Sequence, residues 1–234
     1  MDVVLVSSMI SGLVAIVAVV IPAFNQNRIN KINQMQESSK KHKFYLEPLI
    51  KSSADLQSRI YNITEGGFLG GYYHGGNQRQ RDYVILHTTY LFSQFFAWSE
   101  ATRQDVQFLN LENDERTRRL SELQDVIYSL IQTDRLGKYF VIFSGEQRAI
   151  GERMLVKSVN GYGCIGYGEF IKMDLVNHEP FLNQLKLEVV HMADDFIHYQ
   201  SKFIKLQHAL IDLIDYLDPK YIRVAENKRR KILL

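Results

Sequence analysis

An arginine and a histidine are spaced for phosphodiester chemistry in the segment Arg81-Asp-Tyr-Val-Ile-Leu-His87. A histidine moves protons near neutral pH, and a guanidinium stabilises the negative charge that develops on a phosphate. Arg81 and His87 are therefore the candidate catalytic residues of this chain, and phosphodiester cleavage is its enzymatic hypothesis.

Two rows of ionisable residues follow near the carboxyl terminus. The first row holds carboxylates and imidazoles at steps of three and four: Glu188, His191, Asp195 and His198. Helical metal sites take such pairs from different helices, whereas these share one, so we predict a solvated or salt-bridged stripe and assign no metal ligand. The second row is His208, Asp212 and Asp215. We expect it to pair with arginines of neighbouring helices, with Arg59 and Arg148 as candidates.

Two glycine clusters suggest phosphate-binding loops. The segment from Gly161 to Gly166 fits the dinucleotide fingerprint, but that fingerprint requires a parallel sheet, and no such sheet is predicted. The cluster from Gly66 to Gly76 lacks the Lys-Ser/Thr of a phosphate loop and predicts a long turn or a lid. No cofactor is assigned to either cluster.

The chain begins with an apolar run from Val3 to Phe24 that carries no charge between Asp2 and Arg28. About 20 residues at 1.5 Å each span a bilayer core, so residues 1–24 are predicted to be a transmembrane anchor. Basic residues follow the run, which places the amino terminus outside and the rest of the chain in the cytoplasm, at the inner (cytoplasmic) membrane. A cleaved signal peptide is the alternative, disfavoured by the acidic start and the bulky Ile21.

After the anchor, residues 25–43 are predicted to form a polar helical stalk and residues 44–234 one cytosolic domain. Helical spacing of apolar residues and only four prolines predict an all-α bundle. Its clearest element is a long helix from Pro180 to Asp218, about 55 Å long if continuous. A break near Ser201 into two antiparallel helices is the alternative.

The distribution of charged residues and of small residues indicates which partners to expect. The net charge of +2 gives no general attraction to nucleic acid, and no DNA partner is expected. The basic tail from Lys228 to Lys231 is expected to be solvated, with contact to lipid headgroups or RNA as the alternative. Small residues share one face of the predicted anchor and favour a homo-oligomer: Ser8, Ser11, Gly12 and Ala15.

Three segments of the soluble part resemble a family of uncharacterised bacterial proteins: Asp55 to Asn62, Gly145 to Glu152 and Leu206 to Pro219. The layout of one amino-terminal span before a helical domain is similar to that of the membrane-anchored, HEPN-like accessory proteins of RNA-targeting (type VI) CRISPR systems. The Arg81-x5-His87 pair resembles the signature of HEPN ribonucleases, all-helical proteins that dimerise so that two such pairs meet and cut RNA.

These observations predict a membrane-anchored oligomeric protein that acts as a membrane effector, pore or scaffold in bacterial antiviral defence. Its expected partners are membrane lipid, further copies of itself, and an RNA or protein of a defence system. The alternative is an anchored HEPN-like ribonuclease that uses Arg81 and His87.

Overall fold

The computed structural model describes residues 22, 24–30, 32–33, 44–106, 114–136, 139–158 and 161–233. The chain divides into two compact units, Met1–Lys43 and Phe44–Leu234. In the first unit, residues 24–30 and 32–33 are helical and exposed. Nearly all of the predicted anchor, including Ser8, Ser11, Gly12 and Ala15, lies outside the described residues. Within the described ranges, no helix combines the length and apolar character needed to cross a membrane.

The second unit, here called the helical body, is mostly helical, which confirms the all-α prediction at the level of fold class. Its helices are α1 (44–64), α2 (Gln78–Val106), α3 (Asp114–Gln132), α4 (Ser144–Met154), α5 (Tyr167–Lys172), α6 (Leu175–His178), α7 (Pro180–Asp194) and α8 (Gln200–Leu217). A π-helical turn, Leu69–His74, precedes α2, and 3-10 turns cover Phe196–His198 and Glu226–Lys228.

Helix α2 is the central element of the body. It packs against α4, α7 and α5, while α3 packs against α8. Phe92, Phe95 and Phe96 of α2 are fully buried. Two of its buried polar residues, Thr89 and Ser93, are satisfied within the helix, since each donates a hydroxyl hydrogen bond to the carbonyl one turn earlier. One apolar core therefore surrounds α2.

The predicted continuous helix from Pro180 to Asp218 is wrong, and the alternative of a break near Ser201 is closer, since the helix is interrupted just before that residue. Helix α7 ends at Asp194, Asp195 leaves the helical region with φ −142° and ψ 68°, and α8 begins only at Gln200. The two halves serve different neighbours, because α7 packs against α2 and α8 packs against α3. The apolar stripe is buried in both halves, so spacing alone does not reveal the interruption of the helix.

A short antiparallel hairpin departs from the all-helical prediction. Strands β1 (Leu155–Ser158) and β2 (Gly161–Cys164) pair in the register Leu155 to Cys164. The glycine fingerprint thus lies in β2 and at the start of α5, outside the parallel strand-to-helix setting in which it binds a pyrophosphate. Strands of four residues are too short to show a period of two in the sequence.

The basic tail was predicted to be solvated, but Arg229 within it is buried and Lys231 is ion-paired. Arg229 is buried and ion-pairs with Asp218 and with Asp215 at 2.9 Å. Lys231 pairs with Asp212, and His208 Nε2 lies 2.7 Å from the carbonyl oxygen of Ile232. The second ionisable row therefore holds the tail of its own chain, rather than Arg59 or Arg148.

Candidate functional site

The described part of the body contains an arginine–histidine contact, formed across two helices. Nη2 of Arg59 on α1 lies 2.7 Å from Nδ1 of His87 on α2. The same guanidinium donates to the hydroxyls of Thr88 and Tyr83, each at 3.4 Å. Three α2 side chains therefore hold one charged group that is only 7% exposed.

Aromatic rings enclose this contact. The Arg59 guanidinium carbon lies 4.2 Å from the ring centre of Phe68 and 5.4 Å from that of Tyr83, distances typical of cation–π contacts. The His87 ring stacks on Tyr83 with centres 4.9 Å apart and meets Tyr167 of α5 edge-on, also at 4.9 Å. These contacts fix the orientation of both side chains.

The contact also sets the protonation of His87. A guanidinium only donates hydrogen bonds, so we infer that Nδ1 accepts and that Nε2 carries the proton. Burial, followed by the charge of Arg59, lowers the pKa of His87 to about 4. Efficient general acids and bases have pKa values near the working pH, so this neutral imidazole is better suited to donating a hydrogen bond through Nε2 than to proton transfer.

A cleft of about 580 Å³ opens beside this contact. Its lining residues, which define what we call the aromatic cleft, are Asn62, Gly66, Phe68, Tyr72, Arg79, Gln80 and Tyr83. Phe68 and Tyr83, whose rings contact the Arg59 guanidinium, thus also form walls of the aromatic cleft. Its volume lies within the range of small-molecule sites, about 300 to 1,000 Å³.

Local sequence explains the shape of the cleft. Helix α1 ends where Gly67 adopts φ +63°, a left-handed conformation that favours glycine. The chain then makes one π-helical turn, in which the Gly75 N–H donates to the Gly70 carbonyl at 3.0 Å. Asn77 and Gln80 cap α2 reciprocally through their side chains and backbone N–H groups. The glycine cluster predicted as a long turn or a lid thus includes a π-helical turn and contributes Gly66 and Tyr72 to the lining of the cleft.

The predicted catalytic residues lie on α2 but have different partners. Arg81 is exposed and donates its Nε–H to the carbonyl of Gly76 at 3.1 Å, whereas His87 contacts Arg59. Their joint action on RNA stays a prediction.

In the first ionisable row, His198 pairs with Asp195 at 2.8 Å. Among the described residues, no cluster of three or more histidine, cysteine or acidic residues is arranged to hold a metal ion.

Arg59 is the residue that the sequence interpretation misplaced. It lies three residues after Leu56 and four before Ile63, both buried, and so on the apolar face of α1. A charged residue on a buried face requires a partner, so the position of Arg59 in the sequence could have predicted a buried and paired arginine. The identity of that partner depends on which helix covers α1.

Comparison of the chain with protein-family models, with curated proteins and with solved structures gives no match. The three resemblances noted from the sequence stay predictions.

Proposed function

We propose that this chain is a membrane-tethered helical protein whose body acts on the cytoplasmic side. The observation that carries the proposal is that the body supplies its own core: the buried apolar side chains run from Tyr45 to Ile232. In the first unit, every described side chain is exposed, including Phe24, Ile29 and Ile32. We propose that the apolar run from Val3 to Phe24 is surplus to this core.

A surplus apolar run of this length needs another apolar environment. Its length matches the bilayer core, and each fully buried aliphatic side chain contributes about 1.5 to 3 kcal/mol. Lipid is the environment that we propose for residues 1–24, with residues 25–43 as a stalk. The small residues Ser8, Ser11, Gly12 and Ala15 would let several such spans pack closely. An assembly of this kind fits a membrane effector, pore or scaffold in antiviral defence.

Membrane attachment and topology are testable in one cysteine-labelling experiment. In a Cys164→Ser background, Asp2→Cys should react with a membrane-impermeant maleimide in intact cells. Arg230→Cys, at an exposed position of the tail, should react only after permeabilisation. Both proteins should stay in the membrane pellet after carbonate extraction. Recovery of the full chain in the soluble fraction overturns the tether, and labelling of Arg230→Cys in intact cells overturns the cytoplasmic placement of the body.

Self-association requires a separate test. The full chain in detergent should elute as a defined oligomer, and Gly12→Leu should shift it to smaller species by blocking close approach of the spans. Val14→Leu is the matched control, because it enlarges a residue outside the proposed small face. A wild-type monomer across protein concentrations removes the assembly proposal and leaves the tether standing.

A ribonuclease is the second candidate, because His87 and the exposed Arg81 both lie on α2. Without a ligand, the 2.7 Å contact with Arg59 disfavours proton transfer by His87. Burial is the larger cause of the lowered pKa of His87 and the charge of Arg59 the smaller one; a phosphate bound beside Arg59 would offset the smaller cause and so raise the pKa of the imidazole. Cleavage of single-stranded RNA should then be lost in His87→Ala and reduced in Arg59→Lys. Loss in Arg81→Ala as well would support the Arg81–His87 pair. Unchanged cleavage in His87→Ala rejects a nuclease that uses this residue.

A further inference from the structure

We infer that the aromatic cleft binds a mononucleotide, with the base against the exposed rings of Tyr72 and Tyr83 and the phosphate at Arg79. The inference goes beyond the membrane tether and does not depend on it. Failure of membrane attachment would leave the cleft in place, and failure of nucleotide binding would leave the anchor unaffected.

The exposed rings argue for a planar ligand. Tyr72 is 50% exposed and Tyr83 is 44% exposed, whereas most aromatic residues of α2 are buried. Both phenols line the same cleft, together with the half-buried Phe68. Stacking on such a ring is favourable for any base, because each base presents a π-face. His87 already stacks on one face of Tyr83, so Tyr72 provides the stacking surface and the exposed part of Tyr83 contacts the base beside it.

The charges of the cleft select an anion. Arg79 is the charged residue of the lining, which includes no carboxylate. Arg59 adds a second positive charge directly behind the rings of Phe68 and Tyr83. Guanidinium groups bind phosphate through paired hydrogen bonds, and Arg79 is exposed and thus accessible to a ligand. A planar ligand without a negative charge would contact the rings but leave Arg79 without a partner.

Two amide side chains complete the cleft. Asn62 from the last turn of α1 and Gln80 from the first turn of α2 line it from opposite helices. Carboxamides pair with the donor and acceptor edges of bases. The Gln80 side-chain oxygen accepts the Asn77 backbone N–H at 2.9 Å, which holds this side chain in position before a ligand arrives. The cleft thus combines stacking, anion and base-edge groups.

Calorimetry on the full chain in detergent tests the inference with defined probes: AMP, GMP, CMP, UMP, adenosine, ribose 5-phosphate and inorganic phosphate. At least one mononucleotide should bind more tightly than adenosine and than ribose 5-phosphate, since each lacks one of the two recognised groups. No binding of any mononucleotide up to about 1 mM overturns the inference. Tighter binding of a short single-stranded oligonucleotide than of the matching mononucleotide overturns the assignment to a free nucleotide.

Variants separate the two halves of the ligand. Arg79→Ala should weaken mononucleotide binding about tenfold and leave adenosine binding unchanged. Tyr72→Leu should weaken both ligands about tenfold, whereas Tyr72→Phe retains the ring and should bind as the wild type does. Arg118→Ala, on the exposed surface of α3, is the matched control for lost charge. Equal affinity of Arg79→Ala and Arg118→Ala for the nucleotide, with both proteins folded by thermal denaturation, rejects the site.

Discussion

The side-chain ammonium of Lys202 on α8 lies 2.7 Å from the backbone carbonyl oxygen of Phe140, inside the body. It also donates to the carbonyls of Ile131, Thr133 and Tyr139, at 3.0 to 3.1 Å. Lys202 is only 2% exposed, and Phe140 adopts a left-handed φ of 52°. One buried cation thus holds the end of α3 and the segment that leads to α4.

Replacement of this lysine should destabilise the body. Lys202→Met keeps the aliphatic stem but leaves buried carbonyls without a donor, so the free energy of unfolding should fall by about 3 kcal/mol. Lys205→Met is the matched control, because Lys205 is exposed on the same helix, and it should change stability by less than about 0.5 kcal/mol. Urea denaturation of both variants measures the difference. Equal stability of the two would contradict the proposed role of Lys202.

The contact between Arg59 and His87 predicts a dependence of stability on pH. The pKa of His87 in the folded protein is lowered from 6.5 to about 4, first by burial and then by Arg59. Between these values the unfolded chain binds a proton that the folded chain does not, so this group makes unfolding easier as the pH falls from 6.5 to 4. The decline should be smaller in His87→Gln, measured by denaturation at several pH values.

NMR provides an independent measurement of the same group. The His87 ring signal should titrate with a midpoint near 4, and Arg59→Met should raise that midpoint by removing the neighbouring charge. Arg118→Met, at an exposed site, should leave it unchanged. A wild-type midpoint near 6.5 would show that His87 is solvated and unpaired.

The ion pair between Arg229 and Asp218 should be a determinant of stability. Burial alone would raise the pKa of Asp218, but the backbone N–H groups of Val224, Arg223 and Ile222 and the charge of Arg229 lower it overall. Arg229→Met leaves a buried carboxylate without its cation and should cost about 3 to 5 kcal/mol. Arg230→Met, at the exposed neighbour, should cost little. Thermal or urea unfolding compares them.

The ion pair between Arg229 and Asp218 also predicts a loss of folding stability at acid pH. Because the pKa of Asp218 is lowered in the folded state, its contribution is present above the ordinary value near 3.8 and is lost as the pH falls through the lower folded value. In Asp218→Asn, this part of the acid-induced loss of stability should disappear. An identical acid transition in the wild type and the variant would contradict it.

Helix α4 approaches α2 too closely for a side chain at Gly151. A Cβ there would lie 2.6 Å from the carbonyl oxygen of Phe96. Gly151→Ala should therefore force the helices apart and lower the free energy of unfolding by about 1 to 3 kcal/mol. Gly145→Ala, in the first turn of α4, meets nothing within 4 Å and should be neutral or raise stability by about 0.5 kcal/mol. Destabilisation by Gly145→Ala alone would reverse this interpretation.

Several elements of the body were accessible from the amino-acid sequence. The three-four spacing of apolar residues predicts α2, α3 and both halves of the carboxyl-terminal stripe, because the period of a helix is a local property of the chain. The aromatic run around Phe92 and Phe96 likewise predicts a buried helix, since so many large apolar side chains cannot all face water. Where the apolar spacing is interrupted by glycines, as at Gly66 and Gly67, the end of a helix is predicted as well.

Other features were decided by tertiary structure alone. The break at Asp195 interrupts a regular stripe whose two halves pack against different helices, α7 against α2 and α8 against α3, and helical spacing contains no information on that arrangement. The partner of His87 is Arg59 rather than Arg81, and the partners of Asp212 and Asp215 come from the tail. In each case the helical spacing around the residue indicates which face of the helix it occupies. Its partner, however, depends on which distant segments the common core brings together.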